Sequence, residues 1–500
     1  MPLSSPPILL RLTLAATLLA VVSCNRPPLI PPPPDTGPES EALELFQGLY
    51  EPWSPAGDSP GPMRLMERLE HYRIPGVQVA VVDGGELRFS KAWGMAEGTL
   101  EDGRTLTPDM AMQAASIAKL FAATATLRHL DRSGDADLAA LDAGIEALGG
   151  DITLRHLLSH TSGLTPGGFA GYGHGDAVPT PEQILAGGAP ANHPAVAAAI
   201  PAGQEWRYSG GGYQALESWL QVSAGRDFAE VVDDEIFAPL GMSRSGFSAP
   251  DPEDLAVGHG KDGQAIADGY RIYPERAAAG LWSTAGDLAA WVVDMQKSQA
   301  GKPNRRLRRQ TTLTMLEPQE PGGWGLGPIL GGEGHATYFG HLGGNAGYRG
   351  FVLGFKSSGH GAVVLANGDN GFPLIREIIA GLAVIYNWPA FQPEELEVAA
   401  LATEELESVV GRYAVTPLPG ATLDVSLDGG TLRLRGFGED VELYALSQNL
   451  FADRTQGFEI EVKQRDADGL AEAIEFHTYP AYRFAAVRTT EAGDGESGDG

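Results

Sequence analysis

Strand-type and helix-type patterning are segregated along this chain, and that segregation limits the folds open to it. Two early runs, Val77-Gln78-Val79-Ala80-Val81-Val82 and Glu86-Leu87-Arg88-Phe89-Ser90, flank Asp83-Gly84-Gly85, a hairpin signature. A surface helix is expected just before them, over residues 62–73, ending ahead of Ile74-Pro75-Gly76. Strand signal then fades, and residues 135–300 are rich in Ala, Leu, Gly and Pro with several helical patterns. It returns at 347–355 and 361–366, followed by a helix over 374–386 that is apolar almost all round. Strands early, helices in the middle and strands late point to one sheet whose halves are separated in sequence by a helical lobe. A site would lie in the cleft between lobe and sheet.

The length leaves room for more. Five hundred residues with 43% hydrophobic content allow one large core and a second, smaller domain. An acidic, Pro-containing linker at 389–397 precedes short alternating runs at 422–427, 431–434, 458–462 and 473–476, with Asp428-Gly429-Gly430 as a hairpin turn. These predict a small antiparallel barrel or sandwich over 398–489 and an acidic, disordered tail over 490–500. The formal charge of -29 argues against nucleic acid as a partner, and a single cysteine excludes an intramolecular disulfide framework.

That cysteine is informative by position. Arg11 precedes a mostly apolar run, 12–22, which ends Val21-Val22-Ser23-Cys24. A charged start, a short apolar stretch and small residues before the cut describe a secretory signal over 1–23. The last four residues resemble a bacterial lipobox, in which Cys24 becomes the first residue and carries lipid; plain secretion with a free thiol is the alternative. Pro31 to Pro34 then form part of a semi-rigid spacer within 24–60. The expectation is an exported protein, lipid-anchored through Cys24 on the periplasmic or cell-surface side of a bacterial membrane.

Three stretches carry chemistry. Ser116-Ile117-Ala118-Lys119 opens an amphipathic run with apolar Leu120, Phe121, Leu127 and Leu130, interrupted by Thr124 and stopped at Ser133-Gly134. Ser116 is therefore placed at a helix N-terminus with Lys119 one turn on, where a buried lysine of lowered pKa serves a serine nucleophile as base. Tyr208, before Ser209-Gly210-Gly211-Gly212, is a candidate to shuttle protons with Lys119; the alternative is an aromatic core residue in a Gly-rich turn. His341-Leu342-Gly343-Gly344-Asn345 leads into a strand, where a backbone N–H can serve as oxyanion donor and His341 as a donor or partial cation. The alternative there is a Gly-rich hairpin with a surface histidine. His156 and His160 stand four apart but have no third ligand, so they are read as structural and no metal or cofactor is assigned.

In this order, Ser116-x-x-Lys119, Tyr208-Ser209-Gly210 and His341-Leu342-Gly343 resemble the serine β-lactamase and penicillin-binding superfamily. The resemblance is nearest its class C branch with the related DD-peptidases, D-aminopeptidases and esterases. Residues 152–163 and 279–287 resemble the same branch, and the likeness spans roughly 64–386; the C-terminal segment resembles the small β-domain often appended to such hydrolases. The resemblance implies an α/β (α+β) fold, an antiparallel sheet flanked by helices with an all-helical lobe, in a hydrolase domain over 61–389. It implies Ser116 as acylated nucleophile, Lys119 as its proton acceptor and Tyr208 as the base for deacylation. It also implies the Ser116 and Gly344 N–H groups as oxyanion hole, with His341, Gly343 and Asn345 on the substrate. Gly210 stands where asparagine is common, and His341 where β-lactamases usually carry lysine. Loss of that permanent cation disfavours efficient β-lactamase activity and leans toward esters, amides or D-amino-acid peptides. Cell-wall DD-peptidase, D-aminopeptidase and weak β-lactamase activities stay open, as does a non-catalytic envelope-binding module.

Overall fold

The computed structural model describes residues 37–489, apart from 99–102, 135–137, 305, 417–419 and 479–481. The expected signal, Cys24, the polyproline run and the acidic tail lie outside the described residues.

Gly84 and Gly85 both take positive φ, 60° and 77°, and close a two-residue turn between strands Gly76–Asp83 and Glu86–Glu97. Gly76–Asp83 also pairs antiparallel with Gly361–Ala366, which joins the early and late strands into one sheet. Among the described residues that sheet has seven strands, all antiparallel. Their order is Arg104–Thr105, Glu86–Glu97, Gly76–Asp83, Gly361–Ala366, Tyr348–Phe355, Tyr338–Asn345 and Ile329–Gly331.

The central strands are continuous apolar runs because both faces are covered. Val77, Val79 and Val81 face one core, with helix Gly371–Ile385 and the N-terminal helix Pro38–Gln47. Ala80 and Val82 face the other, with helices Ala118–Ser133 and Ala285–Gln299. Gln78, fully buried among them, donates to the Thr107 and Met110 carbonyls and accepts from the Ala285 N–H. The expected helix at 62–73 is present as Leu65–Tyr72. Helix Pro38–Gln47, within the segment 24–60, is buried on the sheet through Ala42 and Leu45, three residues apart on one face.

Residues 118–133 form the expected helix, ended by Gly134 in the left-handed region. It is not amphipathic in place. Every residue from Ala118 to Leu127 is buried, because helix Gly210–Ala224 of the lobe packs against it. Thr124 is satisfied there, donating to the Leu120 carbonyl and accepting from the Trp291 indole.

Beyond the linker the described residues form a closed, eight-stranded antiparallel barrel, resolving the barrel-or-sandwich expectation. Its last strand, Tyr482–Arg488, pairs back to its first, Gly411–Val415. Alternating residues such as Leu423 and Val425, Leu432 and Leu434, and Ile474 and Phe476 fill the interior.

Candidate active site

Strand Met112–Ala115 pairs with Leu281–Ser283 and delivers the chain to Ser116. Ala115 lies at φ 52°, a costly conformation for a residue with a Cβ, and the chain then winds directly into helix Ala118–Ser133. The Lys119 N–H bonds the Ser116 carbonyl at 3.0 Å, so the serine and lysine sit on one tight turn. Lys119 Nζ lies 3.2 Å from Ser116 Oγ and donates to the Ala278 carbonyl at 2.6 Å. Burial lowers the Lys119 pKa from 10.5 to about 7, so the amine is substantially neutral near neutral pH. The Ala278 carbonyl holds it on the serine, a role that no side-chain motif announces.

Tyr208 stands over the same lysine, its ring centroid 4.9 Å from Nζ. The three glycines after Ser209 are not a turn but the first turn of helix Gly210–Ala224, which Ser209 caps by accepting from the Gly212 N–H. A Cβ on Gly211 would lie 2.2 Å from the Thr165 carbonyl oxygen, and one on Gly210 2.8 Å from the Phe169 ring and 2.9 Å from the Gly167 carbonyl oxygen. The loop 165–169 thus occupies the space that an asparagine at 210 would need.

His160 is the site residue that sequence reasoning missed. Its ring lies against Tyr208, centroids 4.3 Å apart, and its Nδ1 accepts from the Ser209 N–H at 3.1 Å. That bond places the neutral ring's proton on Nε2, and burial holds the ring's pKa well below its ordinary value. His156 instead accepts from the Thr153 N–H in a helix cap, so of the two histidines it alone is purely structural.

Residues 338–345 form a strand, not a loop leading into one, and they pair with both Ile329–Gly331 and Tyr348–Phe355. Of the candidate residues on this strand, Gly344 borders the cavity beside Ser116, about 370 Å³ in volume, together with Tyr208 and Leu342. His341, Gly343 and Asn345 are not among the residues that line it. His341 is fully buried, with Nδ1 donating to the Leu342 carbonyl, and burial with the Lys119 charge pushes its pKa down to about 3. It is a neutral ring, not a partial cation. Gly343 lets the strand lie against residue 114: a Cβ there would meet the Ala114 carbonyl oxygen at 2.3 Å. Asn345 donates to Gln113 Oε1 at 2.8 Å and the Ala279 carbonyl at 3.1 Å, tying three active-site segments together.

Arg349, Asp369 and Phe372 also line the cavity, with Arg349 and Asp369 paired at 2.9 Å. No motif marked them, because they reach the site only through sheet register and the following helix. A second cavity, about 690 Å³, lies between Trp206, Trp324 and the barrel and does not include Ser116.

Residues 64–383 match the family model described as Beta-lactamase. The chain is 25% identical over 375 residues to penicillin-binding protein 4 of Amycolatopsis lactamdurans, covering 67% of this chain and 93% of that one. It is 26% identical over 299 residues to a D-aminopeptidase of Brucella ovis, a match spanning 56% of this chain and only 54% of that enzyme. Two solved structures share the fold. The octameric penicillin-binding protein homologue from Pyrococcus abyssi aligns with a TM-score of 0.55 at 22% identity, over 84% of this chain and 98% of that one. D-amino acid amidase from Ochrobactrum anthropi, complexed with D-phenylalanine, aligns with a TM-score of 0.55 at 21% identity, over 65% and 97%. With the family model covering well over half of the residues, the chain belongs to the beta-lactamase family and is a serine hydrolase.

Proposed function

We propose that the enzyme hydrolyses amide or peptide bonds of D-amino-acid compounds through an acyl-enzyme on Ser116. The observation that carries this reading is the buried Lys119 amine, with its pKa near 7, held 3.2 Å from Ser116 Oγ. Ser116 Oγ attacks the substrate carbonyl carbon and its proton passes to Lys119 Nζ. The N–H groups of Ser116 and Gly344 hold the oxyanion. Collapse expels the amine, which takes a proton from the Lys119–Tyr208 pair, and the same pair then draws a proton from the water that releases the acid. A neutral His341 offers no cation to a substrate carboxylate, which supports amides without that group over β-lactams. The name of one relative, a D-aminopeptidase, supports the same substrate class.

The test is fluorophosphonate labelling of residues 35–500 beside Ser116→Ala and Lys119→Ala. Labelling is expected in the wild type alone, with kcat on D-alanine p-nitroanilide lowered roughly 10³-fold or more in either variant. Near-wild-type turnover in Ser116→Ala would sink the mechanism. Faster turnover of p-nitrophenyl esters or of a chromogenic cephalosporin than of D-amino-acid anilides would reassign the substrate.

The lipid anchor belongs to the same proposal. Its support is the lipobox-like Val21-Val22-Ser23-Cys24 that closes the apolar run 12–22. Metabolic labelling of the full chain with radioactive palmitate should be lost in Cys24→Ser, and equal labelling of both would reject it.

A further inference from the structure

One wall of the Ser116 cavity comes from the barrel. Phe437, Phe458 and Phe484 line it opposite Leu342 and Phe372 of the catalytic body. Phe437 is the unusual one. Strands Thr431–Gly436 and Glu439–Ala445 pair Gly436 with Glu439, leaving Phe437 and Gly438 as a two-residue turn. Both take positive φ, 53° and 78°. Turns of this kind favour Asn-Gly, because a bulky side chain is disfavoured at the first position. Nothing local therefore selects phenylalanine here, and 46% of it stays exposed. Its ring is nevertheless fixed, stacked on Phe476 at 5.5 Å and on Phe484 at 6.1 Å. The turn is also clamped to the catalytic body, where Lys261 Nζ donates to the Gly438 carbonyl at 2.7 Å and to Glu439 Oε1 at 2.6 Å.

A strained, exposed aromatic held rigidly at the mouth of a catalytic cavity is a contact surface for something that enters the cavity. We infer that the Phe437 turn is the specificity wall of this enzyme, and that Phe437, Phe458 and Phe484 receive an aromatic or similarly large apolar substituent of the substrate next to the scissile carbonyl. The barrel is then part of the active site, and Phe437 is a specificity-determining residue. The inference rests on the reading of Ser116 as nucleophile. It adds that the preferred substrate is bulky and apolar beside the bond that breaks.

The experiment compares two pairs of substrates in the full-length enzyme. D-Phenylalaninamide against D-alaninamide varies the acyl side, and the benzylamide against the methylamide of D-alanine varies the leaving side. Phe437→Asn suits the turn and removes the ring; Phe437→Gly does the same without a new polar group, and thermal melts verify that both fold. In each variant the kcat/KM ratio of the large to the small substrate should fall about tenfold in one pair, the pair identifying the side that meets the wall. Phe372→Ala, on the opposite wall, should lower the same ratio. Ratios within twofold of wild type in both pairs, with both Phe437 variants folded, would overturn the inference. Fluorophosphonate labelling separates this from failure of the underlying reading, since a wild type that does not label refutes the Ser116 mechanism itself.

Discussion

Lys119 is useful because it is destabilising. A lysine sealed among apolar residues loses its hydration, and no carboxylate among the described residues compensates, so the chain favours the neutral amine that the serine needs. Two consequences follow in opposite directions. Activity should appear as the amine loses its proton, so kcat/KM should rise as pH passes upward through about 7, and a profile flat from pH 5 to 9 would remove Lys119 as the base. Stability carries the matching cost. The folded pKa of about 7 lies below the ordinary 10.5, so the cost is full below pH 7 and fades as pH rises from 7 to 10.5. Lys119→Met should therefore be inactive yet more stable than wild type at pH 6, by roughly 1–4 kcal/mol, with the gain shrinking toward pH 10 in urea melts. Gly210 makes a different residue-scale point. Restoring the family's asparagine there would press on Phe169 and the Gly167 carbonyl, so Gly210→Asn should lower stability by about 1–3 kcal/mol without creating β-lactamase activity.

At the scale of the element, the glycine-rich strand Tyr338–Asn345 shows how packing sets the site. Its glycines remove the side chains that would hold it away from its neighbours. Gly340 meets the Val352 carbonyl and Gly343 the Ala114 carbonyl, each at a distance no Cβ tolerates. Gly343→Ala should push the strand off the Ser116 turn, slowing fluorophosphonate labelling at least tenfold and costing about 1–3 kcal/mol in denaturant melts. Unchanged labelling would mean that the strand does not set the oxyanion geometry. The same strand marks the limit of sequence reading. The hairpin at Gly84-Gly85, the central strands and the Ser116 helix were legible because local pattern and burial agree there. Residues 338–345 carry chemistry in sequence but weak strand propensity, so they were legible as a site and not as an element. His160 and the Ala278 carbonyl were illegible as parts of the site, because their roles depend on which loop lies beside Tyr208 and Lys119. The bonds of Asn345 to Gln113 and the Ala279 carbonyl were illegible for the same reason: a polar residue in a motif looks available until its buried partners are known.

The catalytic body and the barrel are joined by a polar seam with an aromatic anchor. The barrel's apolar interior is separate from the two cores that flank the sheet, so docking rests on what crosses between them. Trp53, buried, donates its indole N–H to the Asp453 carbonyl at 2.9 Å and meets Tyr444 edge-on at 5.7 Å. Arg454 pairs with Glu51 at 2.5 Å and Asp58 at 3.1 Å, and Arg376 donates to the Thr455 carbonyl. Strand Trp53–Pro55 pairs in parallel with Glu394–Leu396 of the linker, which places this seam at the root of the barrel. Truncating a buried tryptophan costs about 3–5 kcal/mol, and a partly buried ion pair adds about 1 kcal/mol. Against a typical domain stability of roughly 5–15 kcal/mol, that is enough to uncouple the two units. Calorimetry of Trp53→Ala/Arg454→Ala should therefore show the barrel melting in its own transition below that of the catalytic body, where the wild type melts as one. The uncoupled enzyme should still label with fluorophosphonate, since every residue of the Ser116–Lys119–Tyr208 group lies in the body. Its preference for large apolar substrates should fall as in the Phe437 variants, because the wall has lost its fixed position. A single transition at the wild-type temperature would place the coupling elsewhere, with the Lys261 clamp as the next contact to remove.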